Sequence, residues 1–321
     1  MICITKQLLI LRTEKIMRKK ILITGSNGLL GQKLVYRLLN EANVDVIATS
    51  KGENRLKHQA GYTYNALDVT DEQAVKDVLL KHKPDVVINT AAMTNVDACE
   101  TERDACRKLN VDAVEHIINA MKLIPGSPQL IHLSTDFIFD GKNGPYRETD
   151  IPYPPNSVYA ESKYVSEKLV EKSGLKWTII RTILVYGVVD FMSRSNIVLW
   201  AKESLSKGKT INVVDDQFRT PTLSEDLAEG CILAAMQGAT GVFHISGKDF
   251  MSIIELVNIV ADYWHFDKSL IHPAKTATLG QPAQRPLKTG FILDKAIKEL
   301  GYKPHSFLEG LAIVDKQLKA E

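Results

Sequence analysis

Cysteine is scarce. Only Cys3, Cys99, Cys106 and Cys231 occur in 321 residues, and no two of them form a C-x-x-C pair. A chain of this length needs no disulfide framework, and the spacing matches no zinc motif, so reduced thiols, a cytoplasmic setting and no metal are expected. His132 and His244 sit inside apolar strand-like runs, away from any second ligand type. An excess of one charge is missing too. The formal net charge is +2, and no block of like charges forms a tail. Nucleic acid and membrane surfaces are therefore excluded as partners. Long apolar runs are also absent. The N-terminal run QLLILR is far too short to span a bilayer, is flanked by charges and precedes no small-residue cleavage site. Met17 directly precedes RKKILITG, a natural start for a first strand, so residues 1–16 are expected to be a disordered or loosely packed N-terminal extension.

What is present is ordinary globular composition, with 45% hydrophobic and 24% charged residues. Strand-like runs fall at Lys20–Thr24, Val44–Thr49, Tyr62–Ala66, Asp85–Asn89, Gln129–Ser134 and Lys176–Arg181. Helix-period segments alternate with them at Leu29–Asn40, Asp71–His82, Glu102–Lys122 and Ser157–Lys172. Apolar strands alternating with amphipathic helices predict an α/β fold, a Rossmann-like doubly wound parallel sheet. Thr70 and Gln73 offer a capping box for the second helix. After about residue 185 the alternation weakens. Helices are predicted at Asn196–Ser206, Ser224–Met236, Ser252–Tyr263, Leu293–Leu300 and Ser306–Leu318, with short extended pieces at Thr210–Val214 and Val242–Ile245. The expected organisation is a dinucleotide-binding domain over 17–185. Residues 186–321 then form mainly a smaller mixed α/β substrate-binding lobe, interleaved with the end of the sheet and closing over its carboxyl edge.

Gly25, Gly28 and Gly31 in ILITGSNGLLG stand where the first strand hands over to the first helix. Gly25 suits a sharp turn out of the strand, Gly28 a close approach by a pyrophosphate, and Gly31 close packing of helix on sheet. The helix start then presents free N–H groups to phosphate. The spacing is G-x-x-G-x-x-G, and its other reading is a tight turn with no ligand. The second strand ends in Ser50 and Lys51 without the acidic residue that would bind a ribose 2′-hydroxyl. Ser50, Lys51 and Arg55 could hold a 2′-phosphate instead, favouring NADP while leaving NAD open. The alternative is that Lys51 and Arg55 are solvated loop residues. Asp68 could accept a hydrogen bond from an adenine amino group, or merely shape a turn. Ala91 and Ala92 would let a flat cofactor approach the backbone.

Two segments carry chemistry. LSTDFIFDG places Ser134, Thr135 and Asp136 at the end of the fifth strand, and SVYAESKYVSEKL places Tyr159 and Lys163 on one face of a helix. A free tyrosine titrates near pH 10, and a neighbouring ammonium favours its phenolate. Bringing it to about 7 takes about 4 kcal/mol of differential stabilisation, within reach of Lys163 and a cationic nicotinamide together. Thr135 would hydrogen-bond a substrate oxygen and Tyr159 would protonate the new alkoxide.

With these pieces in view, the sequence resembles the extended short-chain dehydrogenase/reductase superfamily, and within it the dTDP-4-dehydrorhamnose reductases. GSNGLLG, PDVVINTAAMTNVDACE, STDFIFDG, VYAESKYVSE, IRTILVYG, VDDQFRTPT and QRPLKTGFILDK carry the likeness, from about Ile21 to Lys295. The resemblance implies Tyr159 as proton donor, with Lys163 as its partner and a ribose contact. Thr135 would polarise the keto oxygen. Gly25, Asn27, Gly28 and Leu29 would line the pyrophosphate turn, and Ala91 and Ala92 would touch the cofactor. Asn110 would help hold the active-site helix. Asp216, Gln217, Thr220 and Arg285 would lie near a nucleotide-sugar.

Two positions depart from the family pattern. Leu184 replaces a frequent tryptophan that would stack on the sugar. Arg219 stands where a small residue is common, and reads either as a diphosphate ligand or as a solvated loop arginine. The family's acidic inter-subunit metal ligands find no match here, and a homodimer is compatible with the sequence. The expected reaction is reduction of a 4-keto-6-deoxy nucleotide sugar. Two rivals remain: an epimerase or dehydratase of the same superfamily, the latter lacking its glutamate because Phe137 follows Asp136, and a non-catalytic NADP-binding regulatory subunit.

Overall fold

The structure of the protein, a computed structural model, describes residues 18–152, 155–191 and 195–320, so the expectation for residues 1–16 lies outside the described residues. The first half alternates strand and helix: β1 (Lys19–Thr24), α1 (Leu29–Leu38), β2 (Val44–Ser50), β3 (Thr63–Ala66), α2 (Glu72–His82), β4 (Val86–Asn89), α3 (Val96–Thr101), α4 (Arg103–Arg107), α5 (Ala113–Lys122), β5 (Gln129–Thr135), α6 (Val158–Glu171) and β6 (Lys176–Thr182). The second half is less regular: β7 (Val185–Tyr186), α7 (Ile197–Ser206), β8 (Ile211–Val214), β9 (Phe218–Arg219), β10 (Thr222–Leu223), α8 (Ser224–Gln237), β11 (Gly241–His244), β12 (Met251–Ser252), α9 (Ile253–Tyr263), β13 (Ile271–Ala274) and α10 (Phe307–Ala320).

Seven strands form one sheet in the order β11-β6-β5-β4-β1-β2-β3, with every neighbouring pair parallel. The chain reverses direction across the sheet between β1 and β4. That opens a crevice beyond their carboxyl ends, where such folds place ligands. The strands are apolar on both faces because both are covered. Ile21, Ile23, Val86, Ile88 and Ile180 face α1 and α8, whereas Leu22, Val87, Leu130 and Ile179 face α2, α5 and α6. A separate core joins α7, β8, α9 and α10 through Leu199, Val213, Leu256, Val260 and Leu311. β11 returns from the second half of the chain to pair beside β6, Phe243 against Ile180. No helix of the described residues is long and apolar enough to cross a membrane.

Three local expectations need correction. Helix α2 is capped by Asp71, whose carboxylate accepts from Ala74 N at 3.0 Å, not by a Thr70–Gln73 box. Gln73 reaches Asp77 instead, and Thr70 donates to Asp68. Asp71, one residue further on, is the better-placed acceptor for a first-turn N–H. The single helix over Glu102–Lys122 is broken. Asn95 starts the short α3, and a π-helical turn over Lys108–Asp112 separates α4 from α5. That turn carries Asn110 inward, where its side chain bonds both Met93 N and Met93 O. The helix expected at Leu293–Leu300 is largely a π-helical turn, Ala296–Leu300, ending at Gly301 in the left-handed region.

Candidate active site

The glycine turn has the geometry its spacing suggests. Gly25 adopts φ +67°, and a Cβ there would lie 2.9 Å from Ala91 N. A Cβ on Gly31 would meet Gly25 O at 2.3 Å, so the first turn of α1 lies directly against the strand exit. Gly28 is the N-cap of α1, and no side chain caps this helix. Side chains do cap α2, α3, α6, α7 and α9. The amides of Leu29 and its successors are thus free of a capping side chain at the positive end of the helix dipole. Ser26 Oγ beside them is buried without a hydrogen-bond partner. A pyrophosphate fits this donor set. Ala91 N donates to Thr24 Oγ1 at 3.3 Å, and Thr90 Oγ1 donates to Thr24 O at 2.6 Å, tying the half-buried Ala91 and Ala92 to the turn.

The end of β2 is organised by Asn27. Its amide donates to Glu53 O at 2.8 Å and accepts from Arg55 N at 2.9 Å, stitching the glycine turn to the loop that carries Ser50, Lys51 and Arg55. Lys51, 82% exposed, pairs with Asp68 at 2.7 Å. Lys51 and the Thr70 hydroxyl hold the Asp68 carboxyl down at about 2. Two residues expected to make separate cofactor contacts therefore neutralise each other. Arg55 is exposed, and Ser50 is half-buried with its carbonyl bound by Leu67 N.

Thr135 ends β5, and α6 places Tyr159 one turn above Lys163. Ser157 caps that helix by accepting from Ala160 N. Tyr159 is only 8% exposed and packs with Cys99 and Cys106, its ring 5.7 Å edge-to-face from Phe137. Burial pushes its phenol above the ordinary range, while hydrogen bonding with Thr135 opposes the shift. Lys163, 3% exposed, has Nζ 3.3 Å from His132 Nε2. Desolvation lowers its amine to about 8, partly offset by Glu167. Glu167 forms a buried two-point pair with Arg181, at 3.0 and 2.8 Å. Asn110 donates to Ser162 Oγ at 3.0 Å and so ties the π-helical turn to α6. Ser134 Oγ is buried without a partner.

Several residues expected near a sugar are anchored to protein. Asp136 is buried. It accepts from Thr289 Oγ1 at 2.5 Å and Thr135 Oγ1 at 3.1 Å, and burial raises its carboxyl. Arg219 is not a solvated loop arginine. Only 4% exposed, it donates to the carbonyls of Phe218, Pro286 and Leu287, which occupies its planar fork. Arg285 pairs with Asp97 on α3 at 2.6 Å. Asp216 accepts from Thr276 N and Oγ1, and Gln217 donates to Thr276 Oγ1, which pins the segment after β13. Thr220 accepts from Phe291 N. Leu184 takes φ +40° between β6 and β7 and touches both cores. Sequence reading overlooked His132, Asn89 and Ser166 around Lys163. The available signal was a histidine within the buried run of β5 and an asparagine at the end of the buried β4, where each must find a partner.

Among the described residues, no cluster of His, Cys, Asp and Glu could hold a metal ion. The RmlD substrate binding domain model matches residues 18–319. The spore coat polysaccharide biosynthesis protein SpsK of Bacillus subtilis (strain 168) is 30% identical over 91% of this chain and 95% of its own length. The methionine adenosyltransferase 2 subunit beta of Bos taurus is also 30% identical, over 84% of this chain and 78% of its own. A crystal structure of a dTDP-4-dehydrorhamnose reductase from Clostridium acetobutylicum superposes with a TM-score of 0.81 at 30% identity, covering 94% of this chain and 99% of that one. The dTDP-4-dehydrorhamnose reductase of Bacillus anthracis, solved in complex with NADP, gives a TM-score of 0.81 at 27% identity over 94% and 100% of the two chains. The chain therefore belongs to the RmlD substrate-binding domain family, a branch of the extended short-chain dehydrogenase/reductase superfamily that includes the dTDP-4-dehydrorhamnose reductases.

Proposed function

We propose that this protein is an NAD(P)H-dependent reductase of the 4-keto group of a nucleotide-linked 6-deoxy sugar, converting dTDP-4-dehydrorhamnose to dTDP-rhamnose with NADPH preferred. The product would feed a cell-surface polysaccharide, as the kinship with a spore coat polysaccharide protein suggests. The observation that supports the reading is the buried hydrogen-bonding contact of Tyr159 with Thr135 at the carboxyl end of β5, with the buried Lys163 one turn further along α6 and the glycine turn left without a capping side chain.

Residues Gly25 to Gly31 would hold the pyrophosphate, and Ser50, Lys51 and Arg55 the 2′-phosphate of NADPH. The bound nicotinamide would supply the hydride. Thr135 hydrogen-bonds the keto oxygen and directs it at the phenol. Tyr159 then gives its proton to that oxygen as negative charge develops there. The Lys163 ammonium stabilises the resulting phenolate and returns a proton to it. Met93, Cys99, Cys106 and Phe137 pack around the tyrosine and keep water off the exchange.

The test is NADPH oxidation with purified dTDP-4-keto-6-deoxy sugars, comparing wild type with Tyr159→Phe. The expected outcome is turnover in wild type and a loss of about 10²–10⁴-fold in the variant, with cofactor affinity kept. Equal rates would remove Tyr159 as the acid. A second reading, a cofactor-binding regulatory subunit of a partner enzyme, draws on the likeness to the methionine adenosyltransferase beta subunit. Cofactor binding without turnover of any such sugar would favour it.

A further inference from the structure

Three polar residues lie side by side on β1, β4 and β5, the central strands of the sheet. Thr24 on β1 is in register with Asn89 on β4, and Asn89 with His132 on β5, so all three point to the same face. That face is covered by α6, and all three are buried. Their hydrogen bonds run in one direction. Ala91 N donates to Thr24 Oγ1 at 3.3 Å, and Thr24 Oγ1 donates to Asn89 Oδ1 at 2.6 Å. Asn89 Nδ2 then lies 3.3 Å from His132 Nδ1. An amide N–H can only donate, so Nδ1 must accept and the imidazole proton must sit on Nε2. His132 Nε2 faces Ser166 Oγ at 3.0 Å, and Ser166 Oγ donates to Lys163 O at 2.8 Å. Each donor in the row has an acceptor, and no lone pair of His132 is left over.

The same Nε2 lies 3.3 Å from Lys163 Nζ. With its proton on Nε2 and given to Ser166 Oγ, the imidazole offers Lys163 no lone pair, so this contact leaves an ammonium, which brings only donors, without an acceptor. The other titratable groups facing Lys163 are Glu167 on its own helix and Cys106 on α4. Glu167 is committed to Arg181 by its two-point pair.

We propose that His132 is a positioning residue for Lys163: the row Thr24–Asn89–His132–Ser166 fixes the imidazole as the neutral Nε2–H tautomer, whose Nε2 keeps no lone pair for the lysine, and this makes the ammonium ready to release its proton. Burial drives the lysine the same way and keeps the imidazole itself neutral. On the reductase reading, this readiness lets Lys163 reprotonate Tyr159 after each turnover near neutral pH. The role rests on that reading, but the tautomer does not.

Two measurements test it. In wild-type protein labelled with ¹⁵N-histidine, His132 should give a neutral ring protonated on Nε2 from about pH 6 to 9, assigned by its loss in His132→Gln. A charged ring, or a proton on Nδ1, overturns the proposal whether or not any sugar is turned over. In the pH profile of kcat, or of NADPH binding if turnover is absent, the lysine-dependent step should lie near pH 8 in wild type. His132→Gln can turn its carbonyl to the ammonium, and Asn89→Asp forces the imidazole proton onto Nδ1 and frees Nε2 to accept. Each should move that step upward by about one pH unit, a tenfold change in proton affinity. A folded variant with lower amplitude but an unmoved midpoint means a merely structural histidine and overturns the role.

Discussion

The guanidinium of Arg219 lies against the carboxylate of Asp136, Nε to Oδ2 at 3.5 Å, with both side chains almost wholly buried. Neither charge is exposed to solvent, so each depends on the other and on neighbouring polar groups. Arg219→Met removes one charge and leaves Asp136 with Thr289 and Thr135 alone, while three backbone carbonyls lose a donor. Urea unfolding should show a loss of about 3–5 kcal/mol. Arg219→Lys should recover only part of it, since an ammonium cannot span the carbonyls of Phe218 and Pro286 as a planar fork does.

Lys163→Met should abolish turnover and yet stabilise the cofactor-free protein. A base whose folded pKa is lowered, here from 10.5 to about 8, opposes folding wherever it must carry charge. The penalty is full below pH 8 and fades as pH rises through 8 towards 10.5, because the unfolded chain there binds the extra proton. The variant should gain about 1–3 kcal/mol at pH 7, and its advantage over wild type should shrink on going to pH 10. Thermal melts of the two proteins across that range check the sign.

Gly31→Ala should uncouple cofactor binding from folding. The new methyl would sit 2.3 Å from Gly25 O, and that backbone has to move. Displacing the turn misaligns the free amides of α1. NADPH affinity measured by fluorescence titration should fall more than about tenfold, a loss above 1.4 kcal/mol. Far-UV circular dichroism should be unchanged.

The Lys51–Asp68 pair makes a prediction with opposite signs at its two ends. If Lys51 holds a 2′-phosphate, Asp68 competes for it. Lys51→Ala should weaken NADPH binding up to about fivefold and leave NADH nearly unchanged, the scale of an exposed ion pair. Asp68→Asn should free Lys51 and tighten NADPH modestly. Parallel titrations with both cofactors at low and high salt measure each end.

Much of the sheet was legible because covered parallel strands leave an unmistakable record. Runs such as KKILIT and QLIHLST are buried along most of their length and carry apolar residues to both faces, and their bounds came out within a residue or two. The helix starts were harder. Thr70 and Asp71 are both good caps, and only the approach of the chain from Asp68 decides between them. The π-helical turn around Asn110 was invisible, since its cause is a long-range bond to Met93 and Ser162. At the site, the roles of Tyr159 and Lys163 could be posed from their spacing taken together with the strand-end Ser134-Thr135-Asp136 and the glycine triplet. The partners of Arg219 and Arg285 could not, because Pro286 and Asp97 lie 67 and 188 residues away in the chain. A side chain's charge is written in the sequence, but which carbonyl or carboxylate consumes it is set by tertiary packing.

The strand β11 closes the sheet from a point more than fifty residues beyond β6. No single cut in the chain can therefore separate the complete sheet from all of the second core, since α7 and β8 lie between β6 and β11. A fragment ending after β6 would bare Ile179 and Ile180 along a long raw edge ready to pair with another copy. Exchanging the second core for that of a relative would take three crossovers, one after β6 and one on either side of α8 and β11, rather than one.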